Sequence, residues 1–382
     1  MEQGTSRSAR SAVIAALLRH GNLSRSELAV LTELSRASIT DVTQQLLAQG
    51  LLLELPVLQL ETRRGRPAIL LSLHAAHACF VGINIADTAT AIVLTDMQGR
   101  ILARQAMPPY KTPEELVAAV RKGYQQLLRA SSIPRTRVQG VGLTVTGIVD
   151  HKEGICRYSA ALDWRDVPIS KMIGKAMHLP AWMDNDAKAV AVGEKFFGRA
   201  REYMHFTSVV LGRTIGAAHS MNGTLYRGQD GGAGEIAHIT VDPNGVLCRC
   251  GRNGCLDTIS GGAALQLTAR ELGLKVNSMR DLESLAMHGN TVATRLLRHA
   301  GKVLGSVIAS LIQINNPQCI LFTDMEGFGN GVFRTATRQA IENGILPRFL
   351  AGTEILFNEV EADFLPRSAA SIAAFEYLRT IR

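Results

Sequence analysis

Near the start of the chain, apolar positions recur three and four residues apart: Val13, Ile14, Leu17 and Leu18 form a stripe that stops at His20-Gly21. That spacing places them on one face of a helix, and the glycine serves as its C-cap. Ser24-Arg25-Ser26-Glu27 then reads as a capping box opening a short helix through Leu28 and Leu31. After a tight break at 32–34, Ser35 caps a third helix carrying Ile39, Val42, Leu46 and Leu47. Two short helices joined by a tight turn are a helix-turn-helix signal. Beyond Gln49-Gly50 the period changes to two, predicting strands over 51–55 and 69–73 around a tip with Arg63, Arg64 and Arg66, the pattern of a wing.

On the third helix, Arg36, Ser38, Thr40, Thr43 and Gln44 fall on the face expected to be exposed. Short polar side chains of this kind suit base edges in a major groove, and the three wing arginines suit phosphates or a minor groove. A three-helix bundle with a hairpin used only for protein contacts is the competing reading.

From Phe80 onward apolar strand runs alternate with helical stretches: strands over 80–85, 91–95 and 138–145, and a helix near 113–130. A second set begins near 208–211 and returns to a strand at 319–322 after a long apolar helix around 303–314. The fold class is therefore α/β, and the length calls for more than one folding unit. The division expected is a winged helix-turn-helix over 1–73, a small α/β lobe over 74–200 completed by a C-terminal helix over 366–382, and a larger lobe over 201–365.

Composition adds little until the cysteines are considered. Hydrophobic residues make up 46% and charged residues 19%, with no uninterrupted apolar run of the roughly twenty residues that a membrane helix requires. The N-terminal apolar stretch has arginine at both ends and no small-residue cleavage site, so a cytoplasmic location without membrane insertion is expected. A net charge of +8 suits a partner bearing phosphates without requiring one. Three of the six cysteines, Cys248, Cys250 and Cys255, fall within eight positions, ten residues after Gly234-Glu235-Ile236-Ala237-His238. Three thiolates and an imidazole make a closed tetrahedral zinc site, structural because no position is left for a catalytic water. Reduced cysteines beside a passing histidine are the alternative.

These motifs together resemble those of the ROK family of repressors, open reading frames and kinases. The resemblance rests on Leu23 to Leu28, Leu34-Ser35 and Arg64-Gly65-Arg66-Pro67 in the head, where the chain looks like the repressor branch that includes the glucose and N-acetylglucosamine repressors. In the body it rests on Asp184-Asn185-Asp186, the 234–238 segment and the cysteine cluster. It implies a two-lobed, actin-like (ribonuclease-H-like) body with a sugar held by Asn185, Asp186, Glu235, His238 and Asp257. In the family's kinases the aspartate matching Asp186 is the general base; here it is expected to be vestigial. A turn and helix cap is the plain structural alternative for Asn185 and Asp186.

Three nucleotide loops depart from the kinase pattern. They read Gly82 to Thr88, Gly212-Arg213-Thr214-Ile215-Gly216-Ala217-Ala218, and Phe322-Thr323-Asp324, with side chains where glycines would let phosphates approach. Asp87 and Asp324 are expected to add like-charge repulsion. Ala161 stands where many relatives have a sugar-binding asparagine, and Asp257 where the usual residue is glutamate. The expected function is a sugar-responsive regulator that binds operator DNA as a homodimer or homotetramer and carries one structural zinc. An active hexose or hexosamine kinase with a DNA-binding head, and a regulator controlled by a sugar-transport protein, are the alternatives.

Overall fold

The computed structural model describes residues 2–56 and 69–380, so the arginine tip read at 63–66 lies outside the described residues. The head contains α1 (Glu2–His20), β1 (Leu23–Ser24), α2 (Arg25–Thr32), α3 (Arg36–Ala48), β2 (Leu52–Pro56) and β3 (Ile69–Leu73). The capping box at the start of α2 forms as read, the Ser24 hydroxyl accepting from the Glu27 amide and the Glu27 carboxylate from the Ser24 amide. Glu33, left-handed at φ 56°, ends α2, and the Ser35 side chain accepts from the Ser38 amide to open α3. The sheet order is β1-β3-β2. Its two-residue member is too short to give an alternating sequence pattern.

Two five-stranded sheets form the body. The first comprises β4 (Cys79–Ile85), β5 (Thr90–Asp96), β6 (Ile101–Met107), β7 (Val138–Val145) and, after the small sheet β8 (Ile148–Asp150), β9 (Ile155–Ser159) and β10 (Trp164–Val167), the strand β11 (Ala181–Asn185). Helices α4 (Pro113–Ser131), α5 (Ile169–Met177) and α6 (Asp186–Phe197) accompany it. The second sheet holds β12 (Phe206–Leu211), β13 (Ile215–Met221), β14 (Thr224–Tyr226), β15 (Cys319–Asp324) and β16 (Glu354–Glu359). It is accompanied by α7 (Asp257–Ser260), α8 (Gly262–Glu271), α9 (Met279–Met287), α10 (Thr291–Asn315), α11 (Val332–Gly344) and α12 (Pro347–Gly352), and the chain's last helix is α13 (Phe364–Thr380).

Both sheets repeat one topology. The orders β11-β7-β4-β5-β6 and β16-β15-β12-β13-β14 each place an antiparallel meander on one side of the first strand and two parallel strands on the other. This is the actin-like arrangement, duplicated.

Two packing features position the functional regions. Gly82 and Gly142 lie opposite one another in β4 and β7, and α13 crosses directly over them. A Cβ at Gly82 would lie 1.9 Å from the Pro366 carbonyl oxygen, and one at Gly142 1.8 Å from that of Ala369. Gly82, read from sequence as part of a phosphate loop, thus sits inside a strand and clears a helix. The head, moreover, is not a separate bead: Val13, Leu17, Leu28 and Leu71 share one apolar cluster with Phe80, Val192, Phe196 and Leu378 of the body. Burying apolar surface contributes roughly 25 cal/mol per Å². The head is thus packed against α6 and α13 and not joined to the body by the chain alone.

Candidate functional site

β11 ends in the cleft between the two halves of the body. Asn185 closes that strand and caps α6, its side-chain oxygen accepting from the amides of Ala187 at 2.9 Å and Lys188 at 3.4 Å, and its NH2 donating to Gly147 O at 2.9 Å. The structural reading of this residue, a helix cap, is thus realised. Asp186 follows at the first helical position, where its carboxylate accepts from the Thr146 hydroxyl at 3.0 Å and from the Ala187 amide at 2.8 Å. Burial pushes the Asp186 carboxyl up, against these hydrogen bonds and the charges of Lys188 and Arg249. Behind it Asp184 is anchored by Arg227 at 2.7 Å.

The opposite wall comes from the 3-10 turn Ile236–His238 and the cysteine loop. Glu235 is open to the cleft, yet enclosure by the walls raises its carboxyl, with Lys188 opposing and Asp186 reinforcing the shift. The enclosed volume is about 350 Å³, and Asn185, Asp186, Glu235 and His238 all line it, with Ala161 at one edge. A cavity of this size with a few convergent polar groups has the form that small-molecule sites take. Asp257 does not line it: its carboxylate accepts from the Ile215 amide at 2.8 Å and lies 3.9 Å from Arg249. One oxygen of Asp257, expected from the sequence to meet a sugar, thus ties α7 to the start of β13. Arg249 and Arg252 line the cavity and were missed from sequence. Arg249 was findable, since a side chain between two ligands that face a common centre, Cys248 and Cys250, is directed away from it.

The loops that depart from the kinase pattern are bonded internally. Asp324, 5% exposed, folds its carboxylate back onto the amides of Glu326 at 3.1 Å, Gly327 at 2.8 Å and Gly329 at 2.8 Å. Asp324, expected from the sequence to add like-charge repulsion, thus spends its carboxylate on the amides of its own loop. Asp87 is exposed. In the turn before β13, the carbonyls of Gly212 and Arg213 accept from Gly262 and Ala263 at 3.1 and 3.0 Å.

His238, Cys248, Cys250 and Cys255 converge, with their donor atoms all within 4.8 Å of one another. His238 Nδ1 lies 3.6 Å from Cys248 Sγ, and Cys250 Sγ 3.6 Å from Cys255 Sγ. A tetrahedron with metal–sulfur bonds of about 2.3 Å has sulfur–sulfur edges of about 3.8 Å, so the donor set fits a metal ion. Gly254, at φ 61°, is required here: a Cβ would lie 1.5 Å from Asp242 O, where the loop folds back on itself.

In the head, Arg36, Thr40 and Gln44 are exposed on α3, and Ser38 is half-buried with its hydroxyl against Ser35. Thr43 corrects the sequence reading: it is fully buried, donating to Thr40 O at 3.2 Å and accepting from Arg25 Nε at 3.1 Å. Arg25 also pairs with Glu54 at 2.8 Å, linking α2, α3 and the wing strand β2. No pattern in the sequence indicated that contact.

Comparison with known proteins agrees with this architecture. The profile of the ROK family matches residues 80–345. The DNA-binding transcriptional dual regulator NagC of Escherichia coli (strain K12) is 25% identical over 361 residues, covering 92% of this chain and 88% of NagC. The xylose repressor of Bacillus subtilis (strain 168) is 28% identical over 311 residues, covering 80% of this chain and 79% of the repressor. A crystal structure of a ROK family transcriptional regulator, a homologue of the E. coli MLC protein, shares the fold over 98% of both chains at 24% identity, with a TM-score of 0.81.

Proposed function

Because the chain belongs to the ROK family, we propose that it is a DNA-binding transcriptional regulator whose effector is a sugar or sugar derivative bound between the lobes. The observation that carries this reading is a polar cleft under a helix-turn-helix that shares the body's core, beside a loop whose amides are taken up by Asp324. Relatives named as a DNA-binding regulator and a xylose repressor support it. We place the protein in the cytoplasm; no helix among the described residues is long and apolar enough to cross a membrane.

In the effector site the carboxylates of Asp186 and Glu235 accept sugar hydroxyls, and Asn185 shapes the floor while capping α6. His238 directs Nδ1 to the metal and keeps Nε2 for the ligand. Asp257 holds the wall rather than the ligand. Zinc is the ion assigned to the Cys3His set, and it supplies structure only. With the ATP side filled, Asp186 has no phosphoryl group to receive and remains a binding residue. Sugar binding selects one arrangement of the lobes and thereby the spacing of two heads in a homodimer or a homotetramer built from such pairs. Loss of a sugar contact at Ala161 and the tethered Asp257 favour a second reading, in which a sugar-transport protein docks in place of a free sugar.

Two measurements test the proposal. With Mg-ATP and a panel of hexoses and N-acetylhexosamines, the purified protein is expected to form no ADP; turnover on any sugar would make it a kinase. Arg36→Ala is expected to weaken operator binding by about 1–3 kcal/mol while leaving sugar binding unchanged. Unchanged operator affinity in Arg36→Ala and Gln44→Ala alike would remove α3 from the interface. Arg63, Arg64 and Arg66 complete the proposed interface together with Ser38 and Thr40, and replacing the three arginines together should reduce the salt dependence of binding.

A further inference from the structure

A second cavity, of about 640 Å³, lies where the head meets the body, and the sugar reading makes no use of it. Its walls come from α1 and α2 on one side and from α6, β12, β13, β14 and α13 on the other. Ala16, Leu31, Leu225, Phe196 and Phe375 make it apolar, and the two phenylalanines meet edge to face with ring centroids 5.2 Å apart.

Cations ring this apolar body. Arg19 is paired with Glu202 at 3.3 Å and Arg227 with the buried Asp184 at 2.7 Å. Lys195 and Arg201 have no such neutralisation. The Lys195 ammonium donates to the carbonyls of Arg201 at 3.0 Å and Tyr203 at 2.6 Å, and Arg201 Nε donates to Phe196 O at 3.0 Å. Neither is in an ion pair with a carboxylate among the described residues. Burial and the nearby Arg19 hold the Lys195 ammonium down to about 8, with Glu202 opposing. A half-enclosed cation held by carbonyls and in direct contact with no carboxylate loses hydration that a bound anion restores, and this favours an anionic occupant.

We propose that this cavity is a second effector site, taking a small aromatic carboxylate whose anion meets Lys195 and Arg201 and whose ring lies between the two phenylalanines and the apolar side chains of α1 and α2. Its volume falls in the ordinary range for small-molecule sites, roughly 300 to 1,000 Å³. An occupant touches both units at once and fastens the head to α6 and α13. This site shares no lining residue with the sugar cleft.

The test uses the full chain and 1-anilinonaphthalene-8-sulfonate, an aromatic anion whose fluorescence reports enclosure, with 1-naphthoate as competitor. Saturable binding of one probe per chain, displaced by naphthoate, is expected. The Lys195→Gln/Arg201→Gln pair should weaken it at least tenfold, and Leu225→Trp, which fills the cavity, should abolish it. Asp186→Asn in the sugar cleft should leave probe binding unchanged, so failure here and failure of the sugar reading are separable. Amide exchange at the C-terminal turn of α1 should slow when naphthoate is bound. Probe binding that is non-saturable, that survives the charge-removing pair, or that is lost in Asp186→Asn overturns the proposal. If Leu225→Trp fails to fold, judged by circular dichroism, the glutamine pair and the competition decide.

Discussion

Cys255→Ser is expected to leave the protein with well under a tenth of a metal ion per chain and a loosened wall of the sugar cleft. Cys255 is fully buried, and its thiol alone is pushed up to about 12 by burial and the neighbouring sulfurs. A bound cation offsets that cost by favouring the thiolate, which couples metal binding to local folding. The same loop carries Arg249 into the cleft, and its backbone pairs with the turn bearing His238: Leu256 N donates to Ile239 O at 2.8 Å, and Val241 N to Gly254 O at 2.8 Å. Losing the ion should therefore cost on the order of 4 kcal/mol of stability and at least tenfold in sugar affinity. The measurements are metal content of the reduced protein, thermal unfolding and sugar titration. A wild-type chain purified without metal, or a Cys255→Ser chain that melts and binds as the wild type does, would remove zinc from the account. Arg252→Ala, on the same loop but supplying no metal ligand, should keep the ion.

How much of this was legible in the sequence depended on how local the determining contacts are. The cysteine loop is decided by residues within one short segment, so the convergence of His238 with the three cysteines could be expected from spacing. The caps at Ser24 and Ser35 act over three residues, and their helices were read with the correct starts. Thr43 was misjudged because its burial depends on Arg25 reaching across from another helix, and helical periodicity does not report which polar face a neighbour covers. The hydrogen bonds of the Asp324 carboxylate to Gly327 and Gly329 were not legible, because the turn that makes them has no sequence signature of its own. Asp257 illustrates the same limit. Its residue type suited a sugar contact, and nothing in the sequence told that one of its carboxylate oxygens also accepts from the Ile215 amide. Family resemblance supplied the actin-like topology, which alternation of strands and helices left at α/β.

Gly142→Ala should be among the most destabilising single-methyl additions in the body, because the added carbon would lie 1.8 Å from the Ala369 carbonyl oxygen and 2.7 Å from the carbonyl carbon. Neither is the end of a flexible side chain; to make room, α13 must lift off β4 and β7. Overpacking of this kind costs about 1–3 kcal/mol and more where backbone has to move. The consequence extends past the lobe, since Ala370, Ala373 and Leu378 of α13 belong to the cluster that also holds Val13, Leu17 and Leu28 of the head. Operator affinity should fall together with the unfolding midpoint, although no residue of the proposed DNA interface has changed. Gly352→Ala is the matched control: a Cβ there meets nothing within 4 Å, and the residue ends α12. It should leave stability unchanged or raise it by up to about 1 kcal/mol through the lower entropy of the unfolded chain. Were Gly142→Ala to melt with Gly352→Ala, α13 would not be clamped on the sheet. Were it to lose stability while binding operator DNA as tightly as the wild type, the shared core would not couple body to head, and an effector in the cleft would need another route to the DNA.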